Sequence, residues 1–580
     1  MSCPSPRPLL PVLAGLVFFA LNLARLTNGH PEEDAYILFR YVAQFVAGHG
    51  IVFFDGGPPT EGSTDFLWFL LIAGLHGLGI DIAIAAACWN AAGAALATWL
   101  LLRVARAGGA PRWLDPALAA YCLLFSGALA GYGGFASMLF SALVVLGMHL
   151  HRGGDARAAA AMPLFALMLG MFRPEGSVAG AALVLLCLPT VHRRRVWRAW
   201  ALATLAATAL GVAYAAWKLS YFGSLLPTAA LVKSHSAADP DVLAMVPAWL
   251  AWSVAPMRGL GDNLRWFVKD TGALPFVVVL LAAWWIGRRP APGALREPML
   301  RPLLLGYVPC LALLAVLTFT EQTQNVFARF QAPATLGLLH VTLALVLRVR
   351  ASLPRSRAGA VLLGLLVLSL VPAITRGVRV VARTLCSQQA LYTQDFAQAL
   401  GGLLKADQRF VLTEAGILAY YSHAQLLDAV GLNTVEFARR PIRADDLRAF
   451  APDVVMCHHS FVFDRASFGE MTVPCVRAIT PAQLAASVLP EYRWIFDGGL
   501  RSYAEHPFRA VPLAAVVIAS YLSSSGDFDL FLAGDTQENL HLWGIRRTVP
   551  EAAAIEAALE AAVLHGRHPS YFAMQSGGRR

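Results

Sequence analysis

Residues 66–79 read FLWFLLIAGLHGLG, and the placement of this stretch decides the topology of everything after it. The positions of the arginines settle it. If it crossed, the clusters Arg103/Arg106/Arg112, Arg152/Arg157, Arg193/Arg194/Arg195/Arg198, Arg288/Arg289/Arg296 and Arg348/Arg350/Arg355/Arg357 would all lie outside. If it lies along the outer surface as a short juxtamembrane helix, every cluster becomes cytoplasmic, as the positive-inside bias requires. The second placement is adopted. Apolar runs at 9–27, 82–102, 114–131, 135–151, 158–172, 177–190, 199–217, 272–287, 302–319, 331–347 and 358–375 then give eleven spans and a cytoplasmic N-terminus. The outer loops are 28–81, 131–134, 172–176, 218–271 and 320–330.

Composition agrees. Of 580 residues, 57% are apolar and 14% charged, against about a quarter charged in ordinary globular proteins. Much of the chain therefore belongs in lipid, and disordered, collagen-like and disulfide-scaffold classes are excluded. The net charge of +10 does not indicate nucleic acid, because the arginines cluster between apolar runs. No small-residue cleavage site follows the first run, which reads as a retained helix. The apolar runs end near 375. The fold class expected is a polytopic α-helical membrane domain over 1–375, with a soluble α/β or α+β domain over 376–580 outside the cytoplasm. In the latter, a helix near 388–404 and strands at 409–413, 425–430 and 453–457 are expected. No glycine-rich phosphate loop occurs there.

The span centres carry almost no charge, His340 being the main exception, read as packing. Ionisable groups gather where spans meet outer loops: Glu32, Glu33, Asp34, Arg40, Glu61, Asp65, Arg173, Glu175, Lys218, Lys233, His235, Glu321 and Arg329. An enzyme with an outward-facing cleft at the membrane surface needs this pattern, whereas a transporter more often places such groups at midplane. In the first loop, helical spacing puts Glu33, Tyr36, Arg40 and Gln44 on one face and Ile37, Leu38, Tyr41 and Phe45 on the other. The acidic run also suits a helix start, with Asp34 as a candidate N-cap.

The run EDAYILFRYVAQFVAGHGIVF followed by TEGSTDFLW resembles a signature of the GT-C glycosyltransferases. Arg173-Pro174-Glu175-Gly176, KLSYFGSLLPTAALVK at 218–233 and ARFQAP at 328–333 resemble further motifs of that family. The pattern is most similar to bacterial cell-envelope arabinofuranosyltransferases, and EAGILAYYSHAQLLDAVGLN at 414–433 extends the likeness into the C-terminal region. Two positions depart from it. Glu33-Asp34 stands where the family usually has Asp-Asp, and Gly134-Phe135-Ala136-Ser137 replaces a common Gly-Met-Glu-Thr.

The resemblance implies a multi-pass protein of the bacterial inner membrane that uses a polyprenyl-phosphate sugar donor and a glycan, lipid or protein acceptor. The sugar expected is arabinofuranose, with mannose or aminoarabinose as alternatives and a lipid or solute transporter as a further class. The chemistry needs a base for the acceptor hydroxyl, for which Glu33 and Asp34 are candidates. It also needs donors for the leaving phosphate, for which Arg173, Lys218, Lys233 and Arg329 are candidates. Cations near span ends also snorkel to headgroups. Yet the chain has only four lysines, and Lys218 and Lys233 bracket the YFGSLLP loop. Tyr36, Arg40, Glu61, Asp65, Tyr221 and His235 are candidate substrate contacts, as are Glu414, Tyr420, Tyr421 and Asp428 in the C-terminal region.

No obligatory metal is expected, since neither Cys-x-x-Cys pairs nor His-Glu-x-x-His occur. Glu61 and Asp65 are candidates for a divalent cation. Cys457-His458-His459 is discounted because neighbouring side chains on a strand point to opposite faces. Cys457 and Cys475 could pair, with Cys386 left over or substituting.

Overall fold

The computed structural model describes residues 9–235, 260–261, 263–270, 273–287, 304–318, 325–352, 357–386, 391–458, 462–468, 473–498, 510–535 and 539–566. The chain forms two compact units, and a single cut at 375/376 does not describe them. One comprises Met1–Arg25, Asp65–Trp217 and Pro256–Ser387; the other comprises Leu26–Thr64, Lys218–Ala255 and Gln388–Arg580. The first parts of two outer loops expected from sequence, 28–64 of 28–81 and 218–255 of 218–271, thus group with the C-terminal region.

The first unit is helical, and a helix or bent helix pair stands at each of the eleven apolar runs. Six helices among the described residues are long and apolar enough to cross a membrane: Leu9–Asn28, Ile82–Ala107, Pro174–Arg194, Trp197–Phe222, Val326–Ala351 and Ala358–Arg383. The pair Leu114–Leu124 and Ser126–Tyr132, bent by 48°, makes a seventh if it is one span. Residues 66–79 give the short helix Phe66–Gly77. The next helix starts where Asp81 accepts from the amides of Ala83 and Ile84, satisfying two donors that a helix start leaves open. Within it, the fully buried Asn90 donates to the carbonyls of Gly131 (3.3 Å) and Phe135 (2.9 Å). This fixes the turn into the helix Ser137–Gly153. His340 is not isolated: its Nε2 lies 3.4 Å from His149 Nδ1.

The second unit is built on a six-stranded mixed sheet of order β2-β1-β3-β6-β5-β4. Its strands are β1 Arg409–Leu412, β2 Gln425–Asp428, β3 Val454–His458, β4 Cys475–Ile479, β5 Phe528–Gly534 and β6 Leu540–Arg546. β1 runs parallel to both β2 and β3, while β6 pairs antiparallel with β3 and β5. Val411, Val455, Cys457, Leu530, Leu532 and Leu542 form a core with Leu513, Val516, Ile518 and Leu522 of the helix Ala510–Ser525. The expected pairing of Cys457 with Cys475 does not occur, and both are free thiols. Two strands intervene between β3 and β4, so the cysteines' strands are roughly 14 Å apart at 4.7–4.9 Å per strand, well beyond disulfide reach. The side chain of Cys386 lies outside the described residues.

Candidate active site

The loop helix Glu33–Val46 begins after Glu32, whose side chain makes no capping bond. Asp34 is therefore inside the first turn and not at the cap, where an acidic group still complements the helix dipole. Glu33 is committed within the second unit: its carboxylate accepts from the amides of Gly416 (2.9 Å) and Ile417 (3.0 Å). It caps the helix Ile417–Tyr421 from a segment remote in sequence. Burial first, then the neighbouring charge of Glu414, pushes the Glu33 carboxyl up to about 8. Burial acts on Glu414 in the same direction, but His541 and His458 together hold it below the ordinary carboxylate range.

Arg40 donates to the carbonyls of Phe53 (2.9 Å) and Tyr420 (3.2 Å) and is buried. Tyr36 is fully buried, with its hydroxyl 3.2 Å from His30 Nδ1 and its ring packed on Tyr420. Both side chains, read from sequence as substrate contacts, are structural members of this unit.

The Gly-x-Gly of the first loop is required by its backbone: Gly48 and Gly50 have φ of 90° and 87°, values that side-chain-bearing residues rarely adopt. The turn delivers the Ile51 amide to the Tyr221 hydroxyl at 3.0 Å. One helical turn earlier, Lys218 Nζ meets Glu61 Oε2 at 2.6 Å, both groups buried. The cation proposed for phosphate and the carboxylate proposed for sugar or metal thus neutralise each other. Thr228 also donates to the Glu61 carbonyl through its amide (3.1 Å) and its hydroxyl (3.0 Å). Gly62 touches Tyr41 and Asn433 so closely that an added Cβ would lie 2.0 Å from Asn433 Oδ1. Tyr41 donates to that oxygen at 3.0 Å. Asp428 accepts from the amides of Val430, Gly431 and Asn433 and from Asn433 Nδ2. Its saturated, fully buried carboxylate organises a turn and presents nothing to a sugar. Lys233 and His235 belong to the helix Thr228–His235, but their side chains lie outside the described residues, as does Glu321.

In the first unit, Arg173 separates the helices Ala156–Phe172 and Pro174–Arg194 in an extended conformation. Its Nε donates to Glu175 (2.6 Å) and its Nη1 to Asp65 (3.3 Å). The guanidinium lies 5.3 Å from the centre of the Phe330 ring, and that of Arg329 lies 5.1 Å from the same centre. Arg329 also stacks on Phe135 at 3.9 Å. This ring belongs to the segment that departs from Gly-Met-Glu-Thr, and Asn90 holds its carbonyl. Arg329 follows two non-glycine residues with left-handed backbones, Phe327 and Ala328, each at φ 55°. The turn persists because Asn325 bonds Gln331 (2.8 Å) and the Phe330 amide (3.2 Å), and Gln331 bonds Asn263 (2.8 Å). Strained backbone of this kind gathers at functional sites. Near it, a small apolar cleft is lined by Leu21, Leu129, Tyr132, Phe327, Val380 and Val381, with Arg25 at its wall.

The motifs therefore assemble by unit. Arg173, Glu175, Asp65 and Arg329 come together in the first; Glu33, Arg40, Glu61, Lys218, Tyr221 and the 414–433 segment interlock in the second. Sequence reasoning missed the part played by Phe330, although it lies within ARFQAP, and by Asn90, which carries no motif. It also missed a cluster on the sheet. Among the described residues, Glu414, His458 and His541 form the one group whose potential ligand atoms all lie within 4.8 Å of one another.

Residues 382–507 match a family model described as a domain of unknown function, DUF8728. No curated protein matches the sequence. The fold is similar to that of ArnT from Cupriavidus metallidurans bound to undecaprenyl phosphate. Identity is 13% over 77% of this chain and 92% of that one, with a TM-score of 0.44; the apo state of ArnT matches with the same values. It is also similar to the mycobacterial arabinofuranosyltransferase AftD, with 16% identity over 79% of this chain and a TM-score of 0.42. The match spans 37% of AftD.

Proposed function

We propose that this chain is a multi-pass glycosyltransferase of the bacterial inner membrane, moving a sugar from a polyprenyl-phosphate donor to a glycan, lipid or protein acceptor on the outer face. The observation that carries the reading is the pair Arg173 and Arg329. Two motifs far apart in sequence bring buried guanidiniums to one phenyl ring, where each keeps donors in a fixed orientation. Donors held in a site of low dielectric stabilise charge that develops on a leaving group.

In the reaction, an acceptor hydroxyl oxygen bonds to the anomeric carbon as the bond from that carbon to the phosphate oxygen breaks. The electron pair leaves on the polyprenyl phosphate, for which Arg173 and Arg329 are the proposed donors, and the proton passes to a carboxylate. Glu33 is already engaged as a helix cap, so Asp34 takes the base role. Arabinofuranose is the sugar favoured, on the motif likeness alone. The test is to incubate purified protein with defined polyprenyl-phosphate sugars and an acceptor fraction, and to measure free lipid phosphate. Release from the arabinofuranose donor is expected; release only from a mannose or aminoarabinose donor would reassign the sugar, and none from any donor would remove the reading.

A further inference from the structure

We infer that Glu414, His458 and His541 form a binding site for a divalent first-row transition metal, zinc being the ion that the ligand set suits best. The site is independent of the glycosyl-transfer reading and lies wholly within the second unit.

The sheet itself assembles the three ligands. His458 on β3 and His541 on β6 are direct antiparallel partners, and opposed residues of such a pair project from the same face. β1 is parallel to β3 with Leu412 beside Met456. Continuing that register by two residues brings Glu414 to the level of His458. Two paired strands and the segment just past the end of a third thus present two imidazoles and a carboxylate at one height, and the strand-borne pair is held more firmly than loop residues would be.

Distances fit a bound ion. Zinc bonds of roughly 2.0–2.1 Å in tetrahedral geometry place donor atoms about 3.3 Å apart. Here one donor atom from each of the three residues lies within 4.8 Å of the other two, and each imidazole Nε2 is close to one carboxylate oxygen, His541 at 3.2 Å from Oε2 and His458 at 3.5 Å from Oε1.

The decisive group is His541. Its side chain is fully buried, and Nε2 faces Glu414 Oε2 at 3.2 Å as an ion pair without a well-aligned hydrogen bond. A buried polar atom left in this way needs an explanation, and an ion between Nε2 and the carboxylate supplies one. The other nitrogen, Nδ1, contacts the Tyr392 hydroxyl at 2.8 Å, and that hydroxyl accepts from Trp543 Nε1 at 2.9 Å. Metal-bound histidines are oriented by such a bond on the distal nitrogen. The His458 amide donates to Thr413 Oγ1 at 2.9 Å, which ties the end of β3 to the residue before Glu414.

Two imidazoles and one carboxylate favour zinc or its neighbours over magnesium or calcium, which take oxygen ligands. Three protein ligands leave a fourth position open. The partial exposure of His458 (17%) and Glu414 (25%) leaves room on that side for water or a ligand oxygen.

The test uses the full chain in detergent, stripped with a chelator and titrated with zinc chloride, with cobalt(II) as a spectroscopic stand-in. About one zinc per chain is expected, together with the visible absorption of tetrahedral cobalt. Glu414→Gln and His458→Gln should each weaken zinc binding at least tenfold and abolish the cobalt band. Because changes at the sheet could disturb folding, Tyr392→Phe provides a second arm. It leaves all three ligands intact and should weaken binding about 10- to 100-fold by releasing the His541 ring. Wild-type protein that holds no stoichiometric zinc, or that prefers magnesium or calcium, would overturn the proposal. So would unchanged zinc affinity in both ligand variants.

Discussion

Glu33 is legible in the sequence, but the structure gives it a task that no motif announces. Its place in an acidic pair is plain from the motif, but its two amide partners lie 383 and 384 residues away, and no local pattern encodes a cap supplied from that distance. The consequence is measurable. The unfolded carboxyl titrates near 4.5 and the folded one at about 8, so between these values the native state keeps a proton that the unfolded chain has lost. Stability should fall as pH rises through that window. Glu33→Gln keeps a carbonyl to accept from the amides and removes the titration, so its thermal midpoint should vary less with pH from 5 to 8 than that of the parent. Glu33→Ala should lower the midpoint throughout. Asp34→Asn should instead reduce transfer by about 10²–10⁴-fold with the midpoint nearly unchanged; full activity would show that Asp34 is not the base. Arg173→Ala and Arg329→Ala should each cost about 2.7–4 kcal/mol of transition-state stabilisation, read as turnover at saturating donor. Near-normal turnover in both would mark them as packing residues.

At the level of elements, each of the eleven apolar runs coincides with a helix or a bent helix pair among the described residues, because a long apolar run has few other options in lipid. The sheet was only half legible. β1, β2 and β3 are short apolar runs bounded by turn residues, whereas β5 and β6 follow a long apolar helix and offer little alternation. His541 sits on β6, so its meeting with His458 depended on strand pairing that the sequence does not spell out. Asn90 carries an element-scale prediction. Asn90→Leu would take the side-chain donor from the Phe135 carbonyl and from the Gly131 carbonyl, which keeps the Gly134 amide, at about 1–3 kcal/mol for a buried polar group that loses its partner. Loss of Arg329-dependent turnover should accompany the drop in thermal midpoint. Gly62→Ala tests the other unit: its Cβ would overlap Asn433 Oδ1, and the variant should accumulate poorly in membranes.

For the whole molecule, the interleaving of chain segments matters more than their order. Because Leu26–Thr64 and Lys218–Ala255 group with Gln388–Arg580, a fragment starting at 388 lacks the partners of Gly416, Ile417, Tyr420 and Asn433. Expressed alone, it should be readily degraded by protease, and a compact, resistant fragment would contradict the unit boundaries. The cluster of arginines at 193–198 gives the topology test. A cysteine introduced at Arg194 should react with an impermeant reagent only after the cells are opened, and labelling of intact cells would invert the assignment.

The turn before Arg329 has one further consequence. Ala328 adopts a left-handed backbone that costs a side-chain-bearing residue roughly 1–2 kcal/mol and glycine very little. Ala328→Gly should therefore raise the thermal midpoint while giving the following guanidinium more freedom. Selection for heat tolerance alone would recover glycine at this position, and selection for turnover would restore alanine. A single methyl group thus sets two laboratory selections against each other.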